Sequence, residues 1–125
     1  MKKLVLTILA LCALGSAVGV DHADAWSSAR FRSPSNNIHC MYRKWNDSIT
    51  CATKFPRKSV TLYTNGRTAI AHAFVPPIGP VLQYGDWWTT SNVGGFTRCD
   101  SWSTGISCSN GIGGFVIARQ GIETW

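Results

Sequence analysis

Two short stretches with the same cysteine-bounded pattern limit what this chain can fold into more than anything else in it. Ile38 to Cys51 reads IHCMYRKWNDSITC, and Cys99 to Cys108 reads CDSWSTGISC. In each, a tryptophan stands six residues before the second cysteine, Trp45 before Cys51 and Trp102 before Cys108. In each, that cysteine closes an isoleucine–hydroxyl–cysteine run, Ile49-Thr50-Cys51 and Ile106-Ser107-Cys108. The pattern reads as one stapled hairpin used twice. Cysteines facing each other at a non-hydrogen-bonded position of an antiparallel pair have Cα atoms close enough for a disulfide. Local pairing, Cys40–Cys51 with Cys99–Cys108, is therefore the expected connectivity. Four cysteines also allow the hairpins to be stapled to each other, and the sequence leaves that arrangement open.

Disulfides need an oxidising compartment, and the start of the chain supplies a route to one. Lys2 and Lys3 precede the apolar stretch Leu4–Leu14, which is too short to span a bilayer, and Ala23-Asp24-Ala25 has the small-residue form of a cleavage site. Residues 1–25 are read as a cleaved export signal that takes Cys12 with it, which places the rest in the periplasm, cell envelope or medium. Residues 26–125 are enough for one domain and not two, with no further segment apolar enough to cross a membrane, and a monomer is expected.

That remainder holds ten Lys/Arg against Asp47, Asp86, Asp100 and Glu123, a balance of +6. Such charge favours anionic partners, and it also serves solubility, because the basic residues are dispersed rather than run together. An anionic or carbohydrate envelope component, or a protein, is the expected partner, with nucleic acid not expected.

No helical periodicity follows the signal. Ser33-Pro34-Ser35-Asn36-Asn37 is turn chemistry, since Asn tolerates the left-handed backbone. Residues 59–72 give two β-rich runs around Asn65-Gly66, a type I′ hairpin signal. Pairing Thr64 with Arg67 would turn Val60, Leu62, Ala69 and Ala71 inward. Pro76-Pro77-Ile78-Gly79-Pro80 is a stiff connector into Val81–Trp88, followed by a polar loop, Thr89–Gly95. Frequent turns between short runs predict an all-β fold, a small antiparallel sandwich or barrel of about seven to nine short strands stapled by two disulfides.

The order of motifs carries a resemblance. Phe31–Cys40, Leu82-Gln83-Tyr84-Gly85, Gly95-Phe96 with Cys99, Gly105, Cys108 and Asn110, and then Gly114-Phe115, together resemble a family of small secreted bacterial domains. The family is known chiefly from actinobacteria and is catalogued as a domain of unknown function. Asn36 stands where its members usually have glycine, and Gly113 where many have histidine. The resemblance implies export, paired cysteines and a β fold, and implies no activity.

Tyr84, Asp86, Trp87 and Trp88 form the densest aromatic cluster, stiffened on one side by the prolines. Adjacent strand residues face opposite ways, so one indole of Trp87 and Trp88 can be exposed while the other is core. An exposed indole stacks on a sugar ring or anchors a protein, with Arg98 and Arg119 adding charge if their strands adjoin. The competing and favoured reading makes both tryptophans filler over a small core. Gly111-Ile112-Gly113-Gly114 lacks the Lys-Ser/Thr and helix of a phosphate loop and reads as a turn feeding a strand. His39 and His72 lack ligand spacing, so no metal or other cofactor is expected. No residues line up as a catalytic set either. The expected function is an exported cationic binding module. The alternatives are a small secreted nuclease or toxin-like enzyme, and an inhibitor that presents the Met41–Thr50 loop to a secreted hydrolase.

Overall fold

The computed structural model describes residues 29–90 and 97–125, and these form ten strands and no helix. The export signal expected over 1–25, and positions 91–96 of the expected polar loop, lie outside the described residues. The strands are β1 (Arg30–Arg32), β2 (Ile38–Arg43), β3 (Ser48–Thr53), β4 (Lys58–Leu62), β5 (Thr68–Ala71), β6 (Trp87–Thr89), β7 (Arg98–Trp102), β8 (Gly105–Ser109), β9 (Gly114–Ala118) and β10 (Gly121–Thr124). Strands β1–β5 make one antiparallel five-stranded meander, sheet A, and β6–β10 a second, sheet B. Ten exceeds the seven to nine expected because β1 and β6 are edge strands of three residues, too short to show a period of two.

Both disulfides join neighbouring strands as expected. Cys40 faces Cys51 across β2–β3 and Cys99 faces Cys108 across β7–β8, each with Cα atoms 4.0 Å apart. Hydrogen bonds from Tyr42 N to Ala29 O and from Ser33 N to Ile38 O turn the Cys40 backbone groups toward β1. That leaves Cys40 and Cys51 as a non-hydrogen-bonded pair, where side chains approach most closely.

The two sheets repeat one plan. In sheet A the row across the strands runs Phe31, Cys40, Cys51, Val60, and in sheet B it runs Trp88, Cys99, Cys108, Phe115. The isoleucines two residues before the second cysteines, Ile49 and Ile106, are both buried. All ten of these residues belong to one hydrophobic core, and the equivalent aromatics Phe31 and Trp88 meet there with ring centroids 5.3 Å apart. The sheets thus pack face to face as a sandwich, each burying the side of its period-two pattern that carries the sulfurs.

The β4–β5 hairpin departs from the expected register. Val60 pairs with Ile70 and Leu62 with Thr68, while Tyr63 N donates to Arg67 O, so the loop is Thr64-Asn65-Gly66 rather than Asn65-Gly66. Gly66 takes φ +85° and absorbs the extra residue. A slip of one position moves a strand's side chains to its other face. Ala69 and Ala71 lie exposed instead of inward, and so does Ile70, which leaves β5 an uncovered edge strand, whereas Val60 and Leu62 are in the core.

Two links close the sandwich. After β5 the chain returns along the outer side of sheet A, with Ala73 N held by Ser59 Oγ, to bridge Val81 in parallel to Arg32 on the free edge of β1. Every residue of β3 is buried although only one face meets the core: on the outer face the strap lies by Ala52, while Arg43 and Thr61 close over Thr50. The strap then crosses to sheet B, where Ser101 Oγ donates to Leu82 O and Gly85 N to Ser101 O. At the opposite end Asn110 Nδ2 donates to Tyr63 O, and a Cβ on Gly113 would stand 2.2 Å from Gly66 O. The Gly-rich segment therefore is a turn, in which Gly113 and Gly114 allow close backbone approach and Gly111 takes φ +88°.

Candidate functional site

In an antiparallel meander alternate turns gather at one end. Here the β1–β2, β3–β4, β7–β8 and β9–β10 turns meet at the same end of the sandwich, the first two joined by Lys54 N donating to Asn37 O. The β1–β2 turn is built by its hydroxyls. Ser33 Oγ accepts from Ile38 N, Ser35 Oγ accepts from Asn37 N, and Asn36 takes φ +63°, the left-handed conformation its identity allows.

Between this turn and sheet B lies an open cleft of about 420 Å³. Ser33, Ser35 and Asn37 of that turn line it together with the rings of Tyr84 and Trp102 and with Arg119 and Gln120. Tyr84 is placed by Gly85, whose φ of +90° turns the chain just where its N–H reaches Ser101 O. Trp102 ends β7 opposite Gly105, so its indole has no large cross-strand neighbour and is 53% exposed.

The six residues singled out from sequence fall in four places. Tyr84 and Arg119 line the cleft together. Trp87 and Arg98 form a second pair on the outer face of sheet B, the guanidinium carbon 5.0 Å from the ring centroid, with Arg98 also bridged to Asp100 at 2.9 Å. Trp88 is 2% exposed and packs between Phe31 and Tyr42, so it is core. Asp86 sits half-buried in the turn between Tyr84 and Trp87, its N–H donating to Gln83 O and its carbonyl accepting from Ser101 N. Exactly one of the adjacent indoles is therefore outward, as alternation requires, but Arg98 already covers a face of it. Trp102 is the ring with an open face in the cleft, and sequence reasoning placed it only in the hairpin pattern. Its signal was available: alternation from Cys99 puts positions 98, 100 and 102 outward.

The two histidines do not come together. His39, on the outer side of β2, is 3% exposed with Nε2 3.2 Å from Asn36 Oδ1, while His72 is exposed beyond the end of β5. Burial, then Lys54 and Arg32, lower the His39 pKa below that of a free imidazole. Among the described residues no group of three His, Cys, Asp or Glu side chains is arranged to hold a metal ion, and no helix is long and apolar enough to cross a membrane. Comparison with protein-family models, curated proteins and solved structures finds no match for this chain.

Proposed function

We propose that the chain is an exported binding module, of the same kind as the small secreted domains its motifs resemble, that holds an acidic carbohydrate of the cell envelope in the Tyr84–Trp102–Arg119 cleft. The convergence of two exposed rings and one guanidinium on a wall of hydroxyls and amides carries this reading. A pyranose ring has an apolar face that stacks on an aromatic ring and a rim of hydroxyls that need donors and acceptors. Ser35, Asn37, Ser103, Thr104 and Gln120 supply those partners, and Arg119 matches a carboxylate with two parallel N–H donors.

Titration of the folded protein with uronic-acid oligosaccharides and their neutral counterparts, followed by tryptophan fluorescence, tests the reading. Trp102→Ala should weaken binding by about 30-fold, the loss of a hot-spot ring. Arg119→Gln should erase the preference for the acidic sugar while keeping the neutral one. Unchanged affinity in both variants would remove the cleft from the reading. Incubation with RNA, DNA and chromogenic esters checks the enzymatic alternative, which turnover lost in His39→Ala or His72→Ala would establish.

A further inference from the structure

On the other side of the β1–β2 turn, under the strap, lies a small pocket of about 60 Å³ lined by His39, Ala52, Thr53, Lys54, Arg57, Ala73, Phe74, Val75 and Pro77. We propose that this pocket binds the carboxylate end of a short alkyl acid, a site distinct from the carbohydrate cleft.

Its walls decide the chemistry. Ala52, Ala73, Val75 and Pro77 present only carbon, and the buried Val75 fixes the strap above β3. The mouth carries two cations: Lys54, which opens the β3–β4 turn, and Arg57, whose guanidinium carbon lies 5.6 Å over the Phe74 ring. That contact, between two exposed side chains, biases the Arg57 charge toward the pocket. The volume equals about two waters' share of liquid, which suits a carboxylate and its first carbons and leaves a phosphate no apolar partner for these walls. After burial, the charges of Lys54 and Arg32 also disfavour the charged form of His39, in keeping with a cationic surround. A ligand carboxylate would reverse that balance and raise the His39 pKa. The strap and the turn are fixed by Ala73 N on Ser59 Oγ, Lys54 N on Asn37 O and Phe55 N on Asn37 Oδ1, so the pocket exists before ligand arrives.

The experiment follows the His39 ring signals by NMR while acetate, propionate and N-acetyl-Ala-Ala are added to the intact domain, with N-acetyl-Ala-Ala amide and inorganic phosphate alongside. The proposal expects saturable shifts with the three carboxylates, propionate about fourfold tighter than acetate for its added methylene, and an upward move of the His39 titration at saturation. A dipeptide acid stronger than propionate would identify a peptide C-terminus as the source, and the reverse a free small acid; either supports the site. Lys54→Gln with Arg57→Gln should weaken carboxylate binding at least tenfold, while Arg119→Gln leaves it unchanged, which separates this pocket from the cleft. Equal responses to the amide or to phosphate, or full binding by the double variant, would overturn the proposal.

Discussion

At the scale of single residues, neighbouring aromatics have opposite fates, and the difference is measurable. Trp88 fills the centre of the core against Phe31 and Tyr42, so Trp88→Ala should cost about 3–5 kcal/mol in a denaturant titration. Trp87→Ala removes an exposed contact with Arg98 and should cost about 0.5–1 kcal/mol. Tyr42 gives a second check. Burial first, then the hydrogen bond it donates to Asp47 and that carboxylate's charge, push its pKa up to about 12. A phenol whose pKa is raised by folding stabilises the protein fully below the unfolded value near 10 and loses that contribution as pH rises toward 12. Asp47→Asn should bring the Tyr42 titration, read by NMR, back toward 10 and flatten stability across that window. His39 runs the other way: its lowered pKa means that stability present above about pH 6.5 declines on acidification.

At the scale of elements, the hairpins carry most of what could be read in advance. The two stapled hairpins were legible because the cysteine spacing, the isoleucine two residues before the second cysteine and strand alternation all agree. Loop closure over separations of 11 and 9 residues should make each disulfide worth about 2.5–3 kcal/mol, tested by replacing Cys40 and Cys51, or Cys99 and Cys108, with alanine. The β4–β5 register was not legible, because Asn-Gly serves both a two-residue turn and a three-residue loop with glycine last, and β4 buries Val60 and Leu62 in either case. Nor was the cleft, since its walls come from turns far apart in sequence that meet only once both meanders are stacked. Packing also separates glycines of similar φ. A Cβ on Gly66 would fall 2.5 Å from Ile112 Cγ2 and 3.2 Å from Gly113 N, while one on Gly85 meets nothing within 4 Å. Gly85→Ala should cost about 1–2 kcal/mol from left-handed strain alone, and Gly66→Ala more, by thermal unfolding.

At the scale of the whole molecule, charge divides along the same line as the sheets. Residues 29–75, which include sheet A and the first half of the strap, hold eight Lys/Arg and one acid, Asp47; residues 76–125 hold Arg98 and Arg119 against Asp86, Asp100 and Glu123. The net positive charge therefore lies on the half built around sheet A, while the half built around sheet B is close to neutral. Position should then matter as much as number. Lys44→Gln with Arg67→Gln, and Arg98→Gln with Arg119→Gln, each remove two positive charges and leave the same formal net charge. Lys44 and Arg67 are exposed on turns at one end of the cationic half, whereas Arg98 is already bridged to Asp100. The first pair of substitutions should weaken retention on a sugar-free cation-exchange matrix, which does not engage the cleft, more than the second at low ionic strength, where screening extends over about 30 Å. The gap should close near 1 M salt, where the Debye length falls to about 3 Å. If the two double variants elute together from the matrix at every salt concentration, net charge alone governs retention, and the division between the halves has no bearing on how the molecule meets an anionic surface.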